Sequence, residues 1–182
     1  MSTFFKCLWF CFFILHNSAD SFAQTKAELI NTIRKDFQAI NTDTSLKTKT
    51  LEDDEFLENT TDGGAELTGY YKRDSIVKIF EWIGLSYGNR TREFYFRKGW
   101  LFFVYEKFQS FVINDTTGEM DHSNVKTTFE GRYYFNNDKL IEQKTSGKRT
   151  FEDESAGLIK ELLAKAKKDL KLLVQKKRMN SK

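Results

Sequence analysis

Residues 84–88 (GLSYG) carry the G-x-S-x-G spacing of a nucleophile elbow, in which a serine attacks the carbonyl carbon of a substrate. Asp115 and His122 follow Ser86 in the order of an α/β-hydrolase catalytic triad. However, an elbow needs a helix directly after the serine, and residues 92–96 (REFYF) have the composition of a strand. We therefore expect a loop between two strands here, and we rank a hydrolase below the non-catalytic functions.

His122 is the only histidine after the first 23 residues, and it stands in a polar stretch where a solvated side chain is the expectation. Acidic residues near it, and residues 52–55 (EDDE), offer the oxygen atoms that calcium prefers. Neither segment has the alternating acidic positions, the central glycine and the terminal glutamate of an EF-hand loop. We expect no catalytic residues, no metal site and no cofactor.

Two basic segments bear on nucleic-acid or membrane binding. Residues 98–105 are close to the RNP1 signature of RNA-recognition domains, but Leu101 stands where that signature needs Gly or Ala. The surrounding βαββαβ pattern is also missing, so we expect no nucleic-acid partner. The lysine-rich C-terminal segment contains Glu161 and Asp169 as well, which is typical of a solvated helix face. Contact with an anionic surface is the alternative.

Residues 1–23 have the organisation of a cleaved secretory signal peptide. Lys6 is followed by a short apolar run, which fits a signal peptide but falls well below the roughly 20 residues needed to cross a bilayer. Small side chains end the segment, so we place the cut between Ala23 and Gln24. An uncleaved anchor is the alternative. We expect the mature chain, residues 24–182, to be secreted or periplasmic, with no transmembrane span.

The composition of the mature chain is that of one domain that relies on packing. Both cysteines, Cys7 and Cys11, lie in the signal segment, so neither a disulfide nor a cysteine metal site is expected. The formal charge of the whole chain is +3, which is too small to indicate an obligate polyanion partner. The chain has 18 Phe and 7 Tyr residues, which supply the material for a core.

Apolar residues at helical spacing mark both ends of the mature chain. Residues 25–40 place apolar side chains on one stripe and predict a first helix. Residues 152–178 predict a long second helix, capped by Thr150. Its stripe consists of Ile159, Leu162, Leu163, Ala166, Leu170 and Leu173. Such a helix is stable when its stripe is buried, so we expect it to dock on the sheet; pairing with a second chain is the alternative.

Between the helices, residues 65–144 alternate in the manner of β-strands, with a weaker strand at 47–57 and a polar loop at 114–124. Three segments share one hairpin pattern with a two-residue turn. Its register predicts three cross-strand pairs: Tyr71 with Ile76, Phe96 with Leu101, and Phe135 with Leu140. Because side chains alternate across a strand, all six should face the core.

The opposite side of these hairpins is a mixture of aromatic and charged side chains, and we expect it to be partly exposed. Glu66, Glu93, Glu130 and Arg132 share this side. The candidate binding residues are Tyr70, Tyr95, Trp100, Phe102 and Tyr134. Exposed aromatic surface is common at recognition sites. The alternative is that a helix covers this side.

The repeated unit Tyr-Tyr/Phe-x-x-Asp/Gly-x-Ile/Leu resembles the hairpin repeat of MORN-type proteins. Residues 65–144 also resemble secreted proteins of Bacteroidetes-type bacteria that carry the same run of hairpins. The units begin at Tyr70, Tyr95 and Tyr134, so their spacing is not the constant period of a solenoid. The resemblance implies no catalytic residues.

These patterns together predict a single α+β domain over residues 24–182. It would consist of an N-terminal helix, an antiparallel meander of about six or seven strands, and a long C-terminal helix packed on the sheet. The function we favour is an exported, non-catalytic module that binds an envelope protein, a peptide or a glycan. A carrier of an apolar ligand such as a lipid is the alternative.

The signal peptide gives a direct prediction. When the full chain is expressed in a bacterium with an intact secretion pathway, the exported protein should begin at Gln24, as read by N-terminal sequencing. Replacing Ala23 with Trp should block cleavage, because signal peptidase accepts only small side chains at that position. An exported protein that retains Lys6 would instead show that the segment is an uncleaved anchor.

Overall fold

Seven strands follow one another in an antiparallel meander, and each strand pairs with its neighbours in the chain. The computed structural model describes residues 25–148 and 157–179; the predicted signal peptide and Thr150 lie outside these residues. The elements are α1 (Lys26–Asn41), β1 (Lys47–Glu52), α2 (Asp53–Phe56), β2 (Ala65–Lys72), β3 (Ser75–Leu85), β4 (Gly88–Arg97), β5 (Trp100–Ile113), β6 (Met120–Asn136), β7 (Lys139–Gly147) and α3 (Leu158–Met179). The predicted α+β fold is confirmed.

The three predicted hairpins have the predicted register. Tyr71 lies opposite Ile76, Phe96 opposite Leu101, and Phe135 opposite Leu140. Positive φ angles close the turns: Lys98 and Gly99 have φ of 51° and 83°, and Asn137 and Asp138 have 49° and 60°. A β-bulge next to each turn leaves one residue without a cross-strand partner. Those residues are Val77, Phe102 and Ile141.

Helix α3 packs on the side of the sheet that the hairpin pairs face. Five of those six side chains are buried there, and Leu140 is partly buried. From the helix, Leu162, Ala166 and Leu173 are 0–1% exposed. Ion pairs fix its solvated side to loops and to α2, for example Lys167 with Asp138 at 2.6 Å. The predicted docking of the C-terminal helix on the sheet is confirmed.

Helix α1 lies on the other side of the sheet. Thr25 begins it with a capping box, in which Thr25 and Glu28 satisfy each other's backbone N–H groups. Its apolar stripe buries Ile30 and Ile33 against a second cluster of aromatic side chains. The helix runs from Lys26, which is 3.1 Å from Glu142 on β7, to Asn41, which bonds Lys78 on β3 and Tyr95 on β4. It therefore crosses the strands along a single row of the sheet.

Two predicted boundaries are wrong. The strand predicted over residues 47–57 ends at Glu52, because Glu52 and Glu55 form a capping box that starts α2. The loop predicted over residues 114–124 covers only 114–119, and β6 begins at Met120 opposite Ile113. The first residues of β6 extend beyond the neighbouring strand β7 and are mostly polar and exposed, so composition alone did not indicate a strand.

None of the helices in the described residues is both long and apolar enough to cross a bilayer.

The packing of α3 predicts different costs for two adjacent leucines. Leu162→Ala should lower the free energy of unfolding by about 2–5 kcal/mol, because it leaves a cavity at a side chain that is 0% exposed. The control Leu163→Ala makes the same chemical change at a partly exposed position and should cost clearly less. Urea unfolding of both variants measures the difference. Equal costs would argue against the observed rotation of α3 on the sheet.

Candidate functional site

The five candidate binding residues do not form one exposed surface. Tyr95, Phe102 and Tyr134 are 0%, 5% and 4% exposed and pack together beneath α1. Trp100 is 57% exposed at the start of β5, and Tyr70 is partly buried on β2. The alternative, in which a helix covers this side, is what the structure shows for the three buried residues.

On the α1 side, two further cross-strand rows lie beyond the row that α1 follows. We call these two rows the open face; α1 contacts its edge, where Tyr105 packs against the α1 cluster. The first row is Thr50, Thr68, Phe80, Glu93, Tyr105, Arg132 and Lys144. The second row is Glu52, Glu66, Trp82, Thr91, Lys107, Glu130 and Ser146. The open face thus places aromatic rings among carboxylates, cations and hydroxyl groups.

Contacts within the open face hold its side chains in place. The Tyr105 hydroxyl donates to Glu130 Oε1 at 2.6 Å, and Arg132 Nη2 donates to Glu130 Oε2 at 3.2 Å. The Arg132 guanidinium also lies 5.1 Å from the centre of the Tyr105 ring. On the neighbouring strands, Lys78 Nζ is 3.3 Å from Glu93 Oε2. The face is therefore organised before any ligand arrives, which lowers the entropic cost of binding.

The pKa shifts on this face follow from these contacts. Burial, and then the hydrogen bond to Glu130, raise the pKa of Tyr105 to about 12. The bond from Tyr105 lowers the pKa of Glu130 from its ordinary value. At neutral pH the phenol therefore remains a donor and Glu130 remains an ionised acceptor.

A cleft of about 420 Å³ lies where α1 meets the open face. Its walls are Ile33, Arg34, Phe37, Phe103, Tyr105, Arg132 and Tyr134. Tyr105 and Arg132 belong to the open face as well, so the two features are continuous.

The GLSYG segment forms a hairpin turn and not a nucleophile elbow. Strand β3 ends at Leu85 and β4 begins at Gly88, so a strand follows Ser86 where an elbow needs a helix. Backbone packing explains both glycines of the pattern. A Cβ at Gly84 would lie 2.7 Å from the backbone of Gly63, and one at Gly88 would lie 2.2 Å from a carbonyl oxygen.

His122 lies on β6 and not in the predicted loop. It is exposed, and its ring centre is 4.6 Å from that of Phe111. Among residues 25–148 and 157–179, no group of three or more His, Cys, Asp or Glu side chains is placed to hold a metal ion.

A buried ionic cluster lies beneath α3, and the sequence analysis missed it. Glu81, Arg92 and Glu106 occupy one cross-strand row on the α3 side and are 0–1% exposed. Asp169 on α3 is also 0% exposed. The sequence does contain an indication of this cluster. Each of the three strand residues stands two positions from an apolar residue of the same strand, and alternation places both on one side of the sheet. Asp169 stands between Ala166 and Leu173 on the helical stripe.

Ion pairs join the two layers of this cluster. Arg92 Nε donates to Glu106 Oε1 at 2.9 Å, and Arg92 Nη1 donates to Glu161 Oε1 at 3.1 Å. Lys165 Nζ is 2.8 Å from Asp169 and also bonds Glu81. Four members of the cluster are closed to solvent, so a substrate cannot reach them in this structure. The cluster fixes α3 on the sheet.

Burial shifts the pKa values within the cluster. Burial raises the pKa of Asp169 to about 6, although Lys165 opposes the shift. Burial acts to lower the pKa of Arg92, but Glu106 and Glu81 outweigh it and hold the pKa above its ordinary value. Lys165 pairs with both Glu81 and Asp169, and Arg90 lies 3.8 Å from Glu81. A proton on Asp169 relieves its repulsion from Glu81.

The described residues form an α+β domain in which α3 packs on one side of a seven-stranded antiparallel meander and α1 packs along one row of the other side. Comparison of the chain with protein-family models, with curated proteins and with solved structures gives no match.

The raised pKa of Asp169 predicts a pH-dependent stability. The folded state holds this proton more tightly than the unfolded state, so ionisation of Asp169 costs stability as the pH rises from about 4 to about 6. Asp169→Asn removes this loss, and the variant should gain about 2–3 kcal/mol relative to the natural protein between pH 4 and pH 7. Urea unfolding at several pH values measures the difference.

The exposed control Asp62→Asn should show no such trend, since Asp62 lies outside the cluster. A constant difference between Asp169→Asn and the natural protein over this pH range would show that folding does not raise the pKa of Asp169.

Proposed function

We propose that the mature chain is an exported, non-catalytic binding module of the cell envelope or periplasm, and that it binds its ligand on the open face. The single observation that carries this proposal is the uncovered pair of rows. Helix α3 packs on the opposite side of the sheet, and α1 packs along the neighbouring row. The open face keeps Phe80, Trp82 and Tyr105 partly exposed next to ordered charges. Aromatic and charged groups of this kind are enriched where proteins recognise ligands.

The shape and chemistry of the open face favour a glycan over a peptide. Peptides that add to sheets pair with a strand edge, whereas this surface is the broad side of five neighbouring strands or more. A sugar ring has an apolar face that stacks on an aromatic ring, and hydroxyl groups around it that donate to carboxylates. Trp82 and Tyr105 supply the rings, and Glu93 and Glu130 supply the acceptors.

The protonation and pairing of the carboxylates on the open face support a non-catalytic role. A carboxylic acid that donates a proton at neutral pH needs a raised pKa. On the open face, the pKa of Glu130 is lowered, and Glu93 is paired with Lys78. Both are suited to accept hydrogen bonds from a ligand.

A carrier of an apolar ligand is the second candidate, and the cleft beside α1 is the observation that favours it. Its volume of about 420 Å³ and the rings of Phe37 and Phe103 suit an alkyl chain. Extraction of the purified mature protein with organic solvent, followed by mass spectrometry, tests this candidate. A stoichiometric lipid supports the carrier, and a compact, ligand-free protein argues against it.

The two exposed or partly exposed tryptophans of the mature chain give a matched test of the binding module. On a printed panel of oligosaccharides, the mature protein should bind at least one glycan. Trp82→Ala should weaken that binding about tenfold or more, because a stacking residue at the centre of a site carries a large share of the affinity. Trp100→Ala removes an identical side chain outside the open face and should change the affinity less than twofold.

Trp82→Phe keeps an aromatic ring and should retain most of the binding, provided that circular dichroism shows both Trp82 variants to be folded. An effect of Trp100→Ala equal to that of Trp82→Ala would move the site to the hairpin turns. Absence of binding to every glycan on the panel would reject the proposal.

A further inference from the structure

We infer that the cleft beside α1 binds a carboxylate of the ligand on the open face, so that the ligand is an acidic oligosaccharide. This inference rests on the proposed function and adds the chemical class of the glycan. It depends on two arginines that line the cleft, Arg34 from α1 and Arg132 from β6.

The lining of the cleft is positively charged. Its two cationic side chains are Arg34 and Arg132, and no carboxylate is among the residues that line it. An arginine has five N–H donors in a planar fork that matches the geometry of a carboxylate. Within the described residues, the two arginine side chains make a single hydrogen bond to a carboxylate, which Arg132 Nη2 donates to Glu130. Donors therefore remain for a ligand.

Neighbouring contacts hold Arg132 in place and engage its Nη2 atom. Its guanidinium is stacked over the Tyr105 ring, and both oxygens of Glu130 already accept hydrogen bonds, one from Tyr105 and one from Arg132. The aromatic rings of Phe37 and Tyr134 form further walls of the cleft. A preorganised site favours a charge-assisted hydrogen bond to a ligand.

Continuity with the open face favours a sugar acid over a fatty acid. Tyr105 and Arg132 line the cleft and also stand in the first row, next to Glu93 and close to Lys144. A carboxylate held between the arginines would leave the rest of the molecule on this polar row. An extended oligosaccharide suits that surface, whereas an alkyl chain does not.

Two forms of one ligand test the inference. The probes are an oligosaccharide of uronic acids and the same oligosaccharide after chemical reduction of its carboxyl groups to alcohols. Isothermal titration calorimetry should show the acidic form binding about tenfold or more tightly, since a hydrogen bond to a charged group contributes more than one between neutral groups. This preference should shrink as the salt concentration rises.

Single variants assign the preference to the cleft. Arg34→Ala and Arg132→Lys should each reduce the ratio of the two affinities at least fivefold, the second because an ammonium lacks the planar fork. Lys35→Ala is the matched control, because it removes a positive charge from the next residue of α1, which is exposed and outside the cleft. It should keep the ratio.

Failure of the anionic site can be distinguished from failure of the proposed glycan binding. Equal binding of both forms would overturn the anionic site and leave the proposed glycan binding intact. Binding of sodium dodecanoate with no binding of either oligosaccharide would overturn both and favour the carrier. A ratio that falls equally in Lys35→Ala and Arg34→Ala would show a general charge effect and reject the assignment to the cleft.

Discussion

The bulge next to each hairpin turn determines how side chains are shared between the two sides of the sheet. In a regular strand neighbouring residues face opposite sides, but at a bulge two consecutive residues face the same side. Phe102 and Phe103 therefore both pack beneath α1, while Leu101 and Val104 on either side of them pack beneath α3. This arrangement concentrates aromatic rings at the row that α1 crosses. It fixes where α1 docks and so leaves the open face uncovered.

The helices cover the two sides unequally because their sequences differ. Helix α3 has 22 residues, and its buried stripe extends from Leu162 to Leu173. Helix α1 has 16 residues, and its buried side chains are Ile30 and Ile33. A short stripe can bury only a short row of the sheet, and partners at its two ends, Glu142 and Tyr95, hold it along that row. The charged residues beyond that row then remain accessible.

Much of the fold could be predicted from local patterns, because the register of a tight hairpin follows from its turn. The three cross-strand pairs and the helical stripes depend on neighbours within a few residues. The binding surface depends on which row a helix crosses, and no local pattern specifies this. The prediction therefore placed Tyr95, Tyr134 and Phe102 on the correct side of the sheet but was wrong to expect them to be exposed. It did not identify Phe80, Trp82 and Tyr105 as candidate binding residues. Their rows are set by strand pairings along the whole meander.

The buried ionic cluster connects the two sides of the molecule through the strands themselves. Glu81, Arg92 and Glu106 point toward α3, and their chain neighbours Trp82, Glu93 and Tyr105 point toward the open face. A buried charge is tolerated only when its partners are held in place, so the cluster restricts how β3, β4 and β5 can shift against each other. A shift by one residue would bury Trp82 and expose Glu81. The same ion pairs that dock α3 therefore also keep the aromatic and charged groups of the open face in register.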